Sequence, residues 1–103
     1  MTLSIAEQQD LHQALNLLAG KYRSPVLYML LKHTRLRFSE FEEHLEGATR
    51  SVIARQLKVL QTQGLISKTD FDEYPKHTEY ELTPVGLQLA KLVDDLVQLN
   101  HDL

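Results

Sequence analysis

Cysteine is absent from the 103 residues. That excludes disulfides, thiolate metal sites, thiol-based redox sensing and a cysteine nucleophile. No apolar run approaches the roughly 20 residues of a membrane span. The opening stretch, Met1 to Asp10, has neither the basic nor the apolar region of a secretion signal, so a soluble, cytoplasmic chain is expected. With four glycines in all, no glycine-rich phosphate loop and no G-x-S-x-G nucleophile turn is present. The five histidines (His12, His33, His44, His77, His101) never stand three or four residues apart, so no convergent metal-ligand set is visible. The carboxylate pairs Glu42-Glu43 and Asp94-Asp95 are adjacent and diverge on a helix. No enzyme, cofactor or metal site is expected.

What remains is 43% hydrophobic and 24% charged, the composition of one globular domain with a modest core. The net charge of −3 counts against a nucleic-acid ligand until its distribution is considered. From Ala48 to Thr69 there are four bases (Arg50, Arg55, Lys58, Lys68) and no acid. From Lys21 to Arg37 there are five more (Lys21, Arg23, Lys32, Arg35, Arg37), again with no acid. The acids gather in Glu40–Glu46, Asp70–Glu73 and the C-terminal part, and a segregated pattern of this kind presents a positive face despite a negative total.

Local signals give the order of elements. Ser4 and Glu7 have capping-box spacing and open a helix whose apolar stripe is Leu11, Ala14, Leu15 and Leu18, with Gly20 as its stop. Ser24-Pro25 reads as an N-cap followed by proline at the first helical position. The following Val26, Leu27, Met29, Leu30 and Leu31 make that helix apolar nearly all round and therefore central. Arg37-Phe38 reads as a very short strand. Ser39 and Glu42 repeat the capping-box spacing for a short helix, Glu40 to Glu46. After the Gly47-Ala48 turn, Thr49 caps a helix that runs to Gly64 and contains no acid.

On that helix Ile53, Leu57 and Leu60 share one side, and Ser51, Arg55, Lys58 and Thr62 form a stripe about 60° wide on the other. Two short helices around a glycine turn are the sequence form of a helix-turn-helix, and a cationic outer face is what a helix in a DNA major groove requires. Residues 65–70 and 78–82 read as strands joined by an exposed loop, Phe71–His77, which makes a wing. Thr83-Pro84 launches a last helix whose Val85, Leu89, Leu92, Leu96, Leu99 and Leu103 are spaced as an a/d seam, widened by Val93 and Val97.

The order of elements, with Leu15 through Tyr22, Leu36 through Phe41, Thr49 through Ile66 and Pro75 through Gly86, resembles the HxlR-type winged helix-turn-helix transcriptional regulators, within the broader MarR/PadR-like group. The resemblance implies a homodimer built on the first and last helices, with one recognition helix per subunit in the major groove and the wings on flanking backbone. Many members carry an electrophile- or oxidant-sensing cysteine near the N-terminus, which this chain lacks. Its wing is also acidic at Asp70, Asp72 and Glu73, against only Lys76 and His77.

The expected fold is thus mainly α with a small β-hairpin (α+β). It is a single winged helix-turn-helix domain over 1–103, with helices 4–20 and 84–103 for dimerisation, 39–64 as the helix-turn-helix and 65–82 as the wing. Thr49, Arg50 and Ser51 are expected at a phosphate, Arg55 at a guanine edge, Gln56 and Lys58 at base or backbone, and Arg37 and Lys76 at phosphates. Lys21 and Arg23 are within reach of the backbone. Leu11, Leu15, Leu18, Leu89, Leu92, Leu96, Leu99 and Leu103 are expected at the dimer interface. The partners are double-stranded DNA and a second copy, with room for an unidentified small-molecule effector and no membrane. The alternative is a winged-helix protein–protein interaction module without specific DNA binding, which the acidic balance and acidic wing favour.

Overall fold

The computed structural model describes residues 1–103. Five helices, α1 (Ile5–Asn16), α2 (Arg23–His33), α3 (Phe38–His44), α4 (Arg50–Thr62) and α5 (Pro84–Asp102), accompany three strands, β1 (Arg35–Arg37), β2 (Ile66–Phe71) and β3 (His77–Leu82). The strands form one antiparallel sheet in the order β1-β3-β2. β3 is its centre, pairing Leu36 with Tyr80 on one side and Ile66 with Leu82 on the other.

Several starts and stops follow from local hydrogen bonding. The Ser4–Glu7 capping box is formed in both directions. Thr49 and Thr83 each accept from the third helical N–H, as N-caps do. The end of α4 is a Schellman motif: Leu65 N–H donates to Leu60 O and Gly64 N–H to Gln61 O. Gly64 sits at φ +74°, the left-handed conformation that motif needs and that glycine adopts without penalty.

Several expected boundaries are corrected. α1 stops at Asn16 instead of reaching Gly20. Its last turn tightens to i→i−3 bonds from Leu17 and Leu18, and Arg23 Nη1 takes the Asn16 carbonyl at 3.1 Å. α2 begins at Arg23, before Ser24-Pro25. Its first bond runs from Val26 N–H to Tyr22 O, so Pro25, which has no N–H, lies harmlessly inside the first turn.

The short strand is Arg35–Arg37, because pairing with Glu81, Tyr80 and Glu79 carries the chain in extended form only to Arg37. α3 follows at once, from Phe38. Its N-cap is Arg37, whose N–H donates to Glu40 at 2.8 Å. An arginine side chain accepts nothing in return, so only half of a capping box exists, and Ser39 does not cap. The wing strands also extend further than expected, leaving residues 72–76 as the loop.

The core is the meeting of α2, α3, α4, α5 and the sheet. Val26, Leu27, Phe41, Ile53, Leu60 and Ala90 have no solvent exposure, and Leu30 and Leu57 nearly none. Phe41 meets Tyr80 edge to face, with ring centroids 6.1 Å apart. α5 is locked to the end of α4 by Thr83, which donates Oγ1 to Gly64 O at 2.6 Å and N–H to Leu65 O at 3.1 Å. At Gly86 the helix rides so close that an added Cβ would lie 1.8 Å from the Leu65 carbonyl oxygen. The end of α4 and the start of α5 are therefore tied together at this junction.

α1 contributes nothing buried, and the molecule measures 60 × 30 × 24 Å. The expected leucine seam of α5 divides. Gly86, Ala90 and Val93 are the buried face, with Leu89 packed against the same core. Leu92, Leu96 and Leu99 lie on a separate stripe about 100° around the helix, 54–58% exposed. Leu18, expected on the interface stripe of α1, lies outside that helix and packs against the core.

Candidate nucleic-acid interface

Burial of Ile53, Leu57 and Leu60 under α4 leaves Ser51, Arg55, Lys58 and Thr62 on the outer face, all exposed. Neither Arg55 nor Lys58 enters an ion pair. Both cations are therefore free to meet an external anion. At the mouth of the helix the Thr49 and Ser51 hydroxyls lie 3.3 Å apart, and Thr49 Oγ1 accepts from Val52 N–H. Thr62 donates to Lys58 O, so its hydroxyl is spent within the helix. Gln56 is only half-exposed and its amide oxygen is shut off from solvent without a protein partner, which places it at the edge of the face.

A second cationic surface is made from three separate elements. Arg37 at the end of β1, Arg50 in the first turn of α4, and Lys76 on the wing line one open cleft of about 390 Å³, with Ser39, Glu42 and Thr78 between them. Of its cations only Arg50 is paired, to Glu42 at 3.7 Å, and its guanidinium also lies 5.3 Å from the centroid of the Phe38 ring. The cleft thus brings together three of the residues expected at phosphates, although they are separated widely in the chain. Ser39, Glu42, His77 and Thr78 were not anticipated there, because only the pairing of β1 with β3 brings the wing to α3.

The wing itself is braced. Thr78 donates to Asp70 at 2.8 Å, and the His77 ring stacks on Phe71 with centroids 4.8 Å apart. The ring nitrogens of His77 lie 2.9 Å from Pro75 O and 2.7 Å from the Glu79 carboxylate. Asp70 and Asp72 line a neighbouring depression with Phe71, so Glu42 is the single carboxylate in the basic cleft. Lys76 sits between the two, lining the basic cleft on one side and the Asp70–Asp72 depression on the other.

One further residue supports the site from behind. Tyr22 donates its hydroxyl to Gly47 O at 2.9 Å, fixing the turn between α3 and α4; nothing in the local sequence signals this contact. Arg23 is spent on the α1 end, and Lys21 remains exposed beside Tyr22.

Comparison with known proteins gives a consistent pattern. The profile described as HxlR-like helix-turn-helix matches residues 17–103. The HTH-type transcriptional regulator YdzF of Bacillus subtilis is 30% identical over 95 residues, covering 92% of this chain and 87% of that one. The HTH-type transcriptional regulator YtfH of Escherichia coli is 29% identical over 98 residues, covering 92% and 77%. Among solved structures, a transcriptional regulator of the MarR family from Enterococcus faecalis superposes with a TM-score of 0.83 at 26% identity, covering 98% and 91%.

Proposed function

This chain belongs to the HxlR-like helix-turn-helix family and is a transcriptional regulator of the helix-turn-helix type, and we propose that it works as a homodimer on a two-fold symmetric DNA operator. The observation that carries the reading is the outer face of α4, cationic, without an acid and fully backed by core, flanked by the Arg37–Arg50–Lys76 cleft. On this reading α4 lies in the major groove. Arg55 bonds bidentately to a guanine edge, with Lys58 and Gln56 at neighbouring base or backbone positions. Thr49, Ser51 and the helix N-terminus hold one phosphate, and Arg37, Arg50 and Lys76 hold another on the flanking backbone.

The second copy is argued from surface that one chain leaves uncovered. Leu11 and Leu15 on α1, Leu92, Leu96 and Leu99 on α5, and Leu103 just beyond it are all at least half exposed, apolar side chains that pairing with a second copy would take out of water. A two-fold pairing of these helices sets two recognition helices about one turn of DNA apart. Leu18 and Leu89, half-buried in their own core, contribute at the margin. No helix is long and apolar enough to cross a membrane.

The test is Arg55→Ala measured by fluorescence anisotropy against a selected operator. The substitution is expected to weaken specific binding by about 1–3 kcal/mol, roughly 5- to 150-fold, with unchanged circular dichroism. A folded variant that binds its operator as tightly as the parent removes Arg55 from the reading.

A further inference from the structure

The basic cleft contains an internal competitor for its own ligand. Arg37, Arg50 and Lys76 converge there, yet Glu42 occupies the same space and holds Arg50. The ion pair is loose, 3.7 Å, with Arg50 78% and Glu42 34% exposed. Phe38 steadies the same guanidinium at 5.3 Å from its ring centroid. Apart from Phe38, Arg50 faces solvent, so it is free to leave Glu42 when another anion enters the cleft.

Resting on the DNA-binding reading above, we propose that Glu42 tempers the affinity of this regulator for the DNA backbone by competing with a phosphate for Arg50. In the free protein Arg50 is parked against Glu42 and Phe38. On DNA it turns to the phosphate that Arg37 and Lys76 already face. Glu42 is then left unpaired beside a second negative charge, and that repulsion is charged against every phosphate contact in the cleft, whatever the base sequence. Three cations without Glu42 would favour any duplex. With it the net charge of the cleft falls by one, and base contacts from α4 are left to supply a larger share of the binding.

The experiment compares Glu42→Gln, Glu43→Gln and Arg50→Ala, alone and combined, on a labelled duplex of arbitrary sequence across a salt titration. Glu43 is the control. It changes the total charge equally, is 67% exposed and pairs only with His44 at 3.6 Å, and it does not line the cleft. Surface pairs of this kind contribute little to folding, so all variants should melt near the parent. E42Q is expected to tighten binding about 3- to 10-fold and to steepen the salt dependence by up to roughly one unit of log–log slope. E43Q should change affinity less than about 2-fold, because an exposed charge outside the cleft lining is screened by solvent and salt. In an R50A background the E42Q gain should fall away.

Equal gains from E42Q and E43Q, or a gain that survives R50A, overturn the role of Glu42 while leaving DNA binding intact. If neither parent nor variants bind any duplex at low salt, the DNA reading falls and the Glu42 proposal with it.

Discussion

Gly86 is the position at which a single added carbon should disturb this protein most. A Cβ there would lie 1.8 Å from Leu65 O and 2.8 Å from Leu65 C, where ordinary contact begins at 3.4 Å. The obstacle is backbone, so relief requires α5 to move away from the α4–β2 junction by about 1.5 Å. A shift of that size breaks the two bonds of Thr83 to Gly64 O and Leu65 O, at 2.6 and 3.1 Å, each worth about 1 kcal/mol net. Repacking strain adds about 1–3 kcal/mol, and the better helix propensity of alanine returns about 1. Gly86→Ala should therefore cost about 2–4 kcal/mol.

The measurement is urea denaturation followed by far-ultraviolet circular dichroism at fixed protomer concentration, since association shifts apparent stability. Gly20→Ala is the comparison. Gly20 has φ +102° but nothing within 4 Å of the added carbon, so only the conformational penalty of about 1–2 kcal/mol applies. A G86A variant within about 0.5 kcal/mol of the parent, or no worse than G20A, would refute the close-approach argument.

Thr34 is a β-branched residue at φ 66°, ψ −57°, where it turns the chain from α2 to β1 in one step; Thr34→Gly should relieve that strain and raise stability by about 1 kcal/mol in the same denaturation assay. Burial, and secondarily the Asp70 charge, raise the pKa of the Tyr80 phenol above its ordinary 10.0. The unfolded chain therefore loses this proton first as pH rises past about 10, so stability is full below that pH and declines above it. Tyr80→Phe should flatten that alkaline decline in melts across the range. Leu96→Glu places a charge on the exposed stripe of α5 and should shift sedimentation at micromolar concentration from dimer to monomer; a variant that still sediments as dimer moves the interface elsewhere.

What could be read from the sequence was what is written in short-range hydrogen bonding and periodicity. Ser4 with Glu7, Thr49 with Gly64, and Thr83 with Pro84 are cap signals satisfied by their own neighbours, and all three mark true helix ends. Ile53, Leu57 and Leu60 gave the buried side of α4, and with it the cationic face. Most misread boundaries are decided by distant partners; the start of α2 is set locally, by the Val26 N–H to Tyr22 O bond. Ser39 and Glu42 have capping-box spacing, but β3, more than 40 residues later, pairs β1 up to Arg37 and starts α3 two residues earlier. Gly20 looked like a helix stop, yet the turn is made earlier because Leu18 is drawn into the core. The close approach at Gly86, the cleft that joins Arg37, Arg50 and Lys76, and the presence of Glu42 within it are products of packing between remote segments. No spacing along the chain announces them.

Selection of bound duplexes from a randomised pool asks whether two copies of the α4 face read a symmetric DNA site. An inverted repeat should be enriched, with half-site centres about one helical turn, 10–10.5 bp, or a multiple of it apart, and Arg55→Ala should abolish that enrichment. A pool that emerges without any enriched sequence, or with a lone asymmetric site, would contradict the symmetric reading.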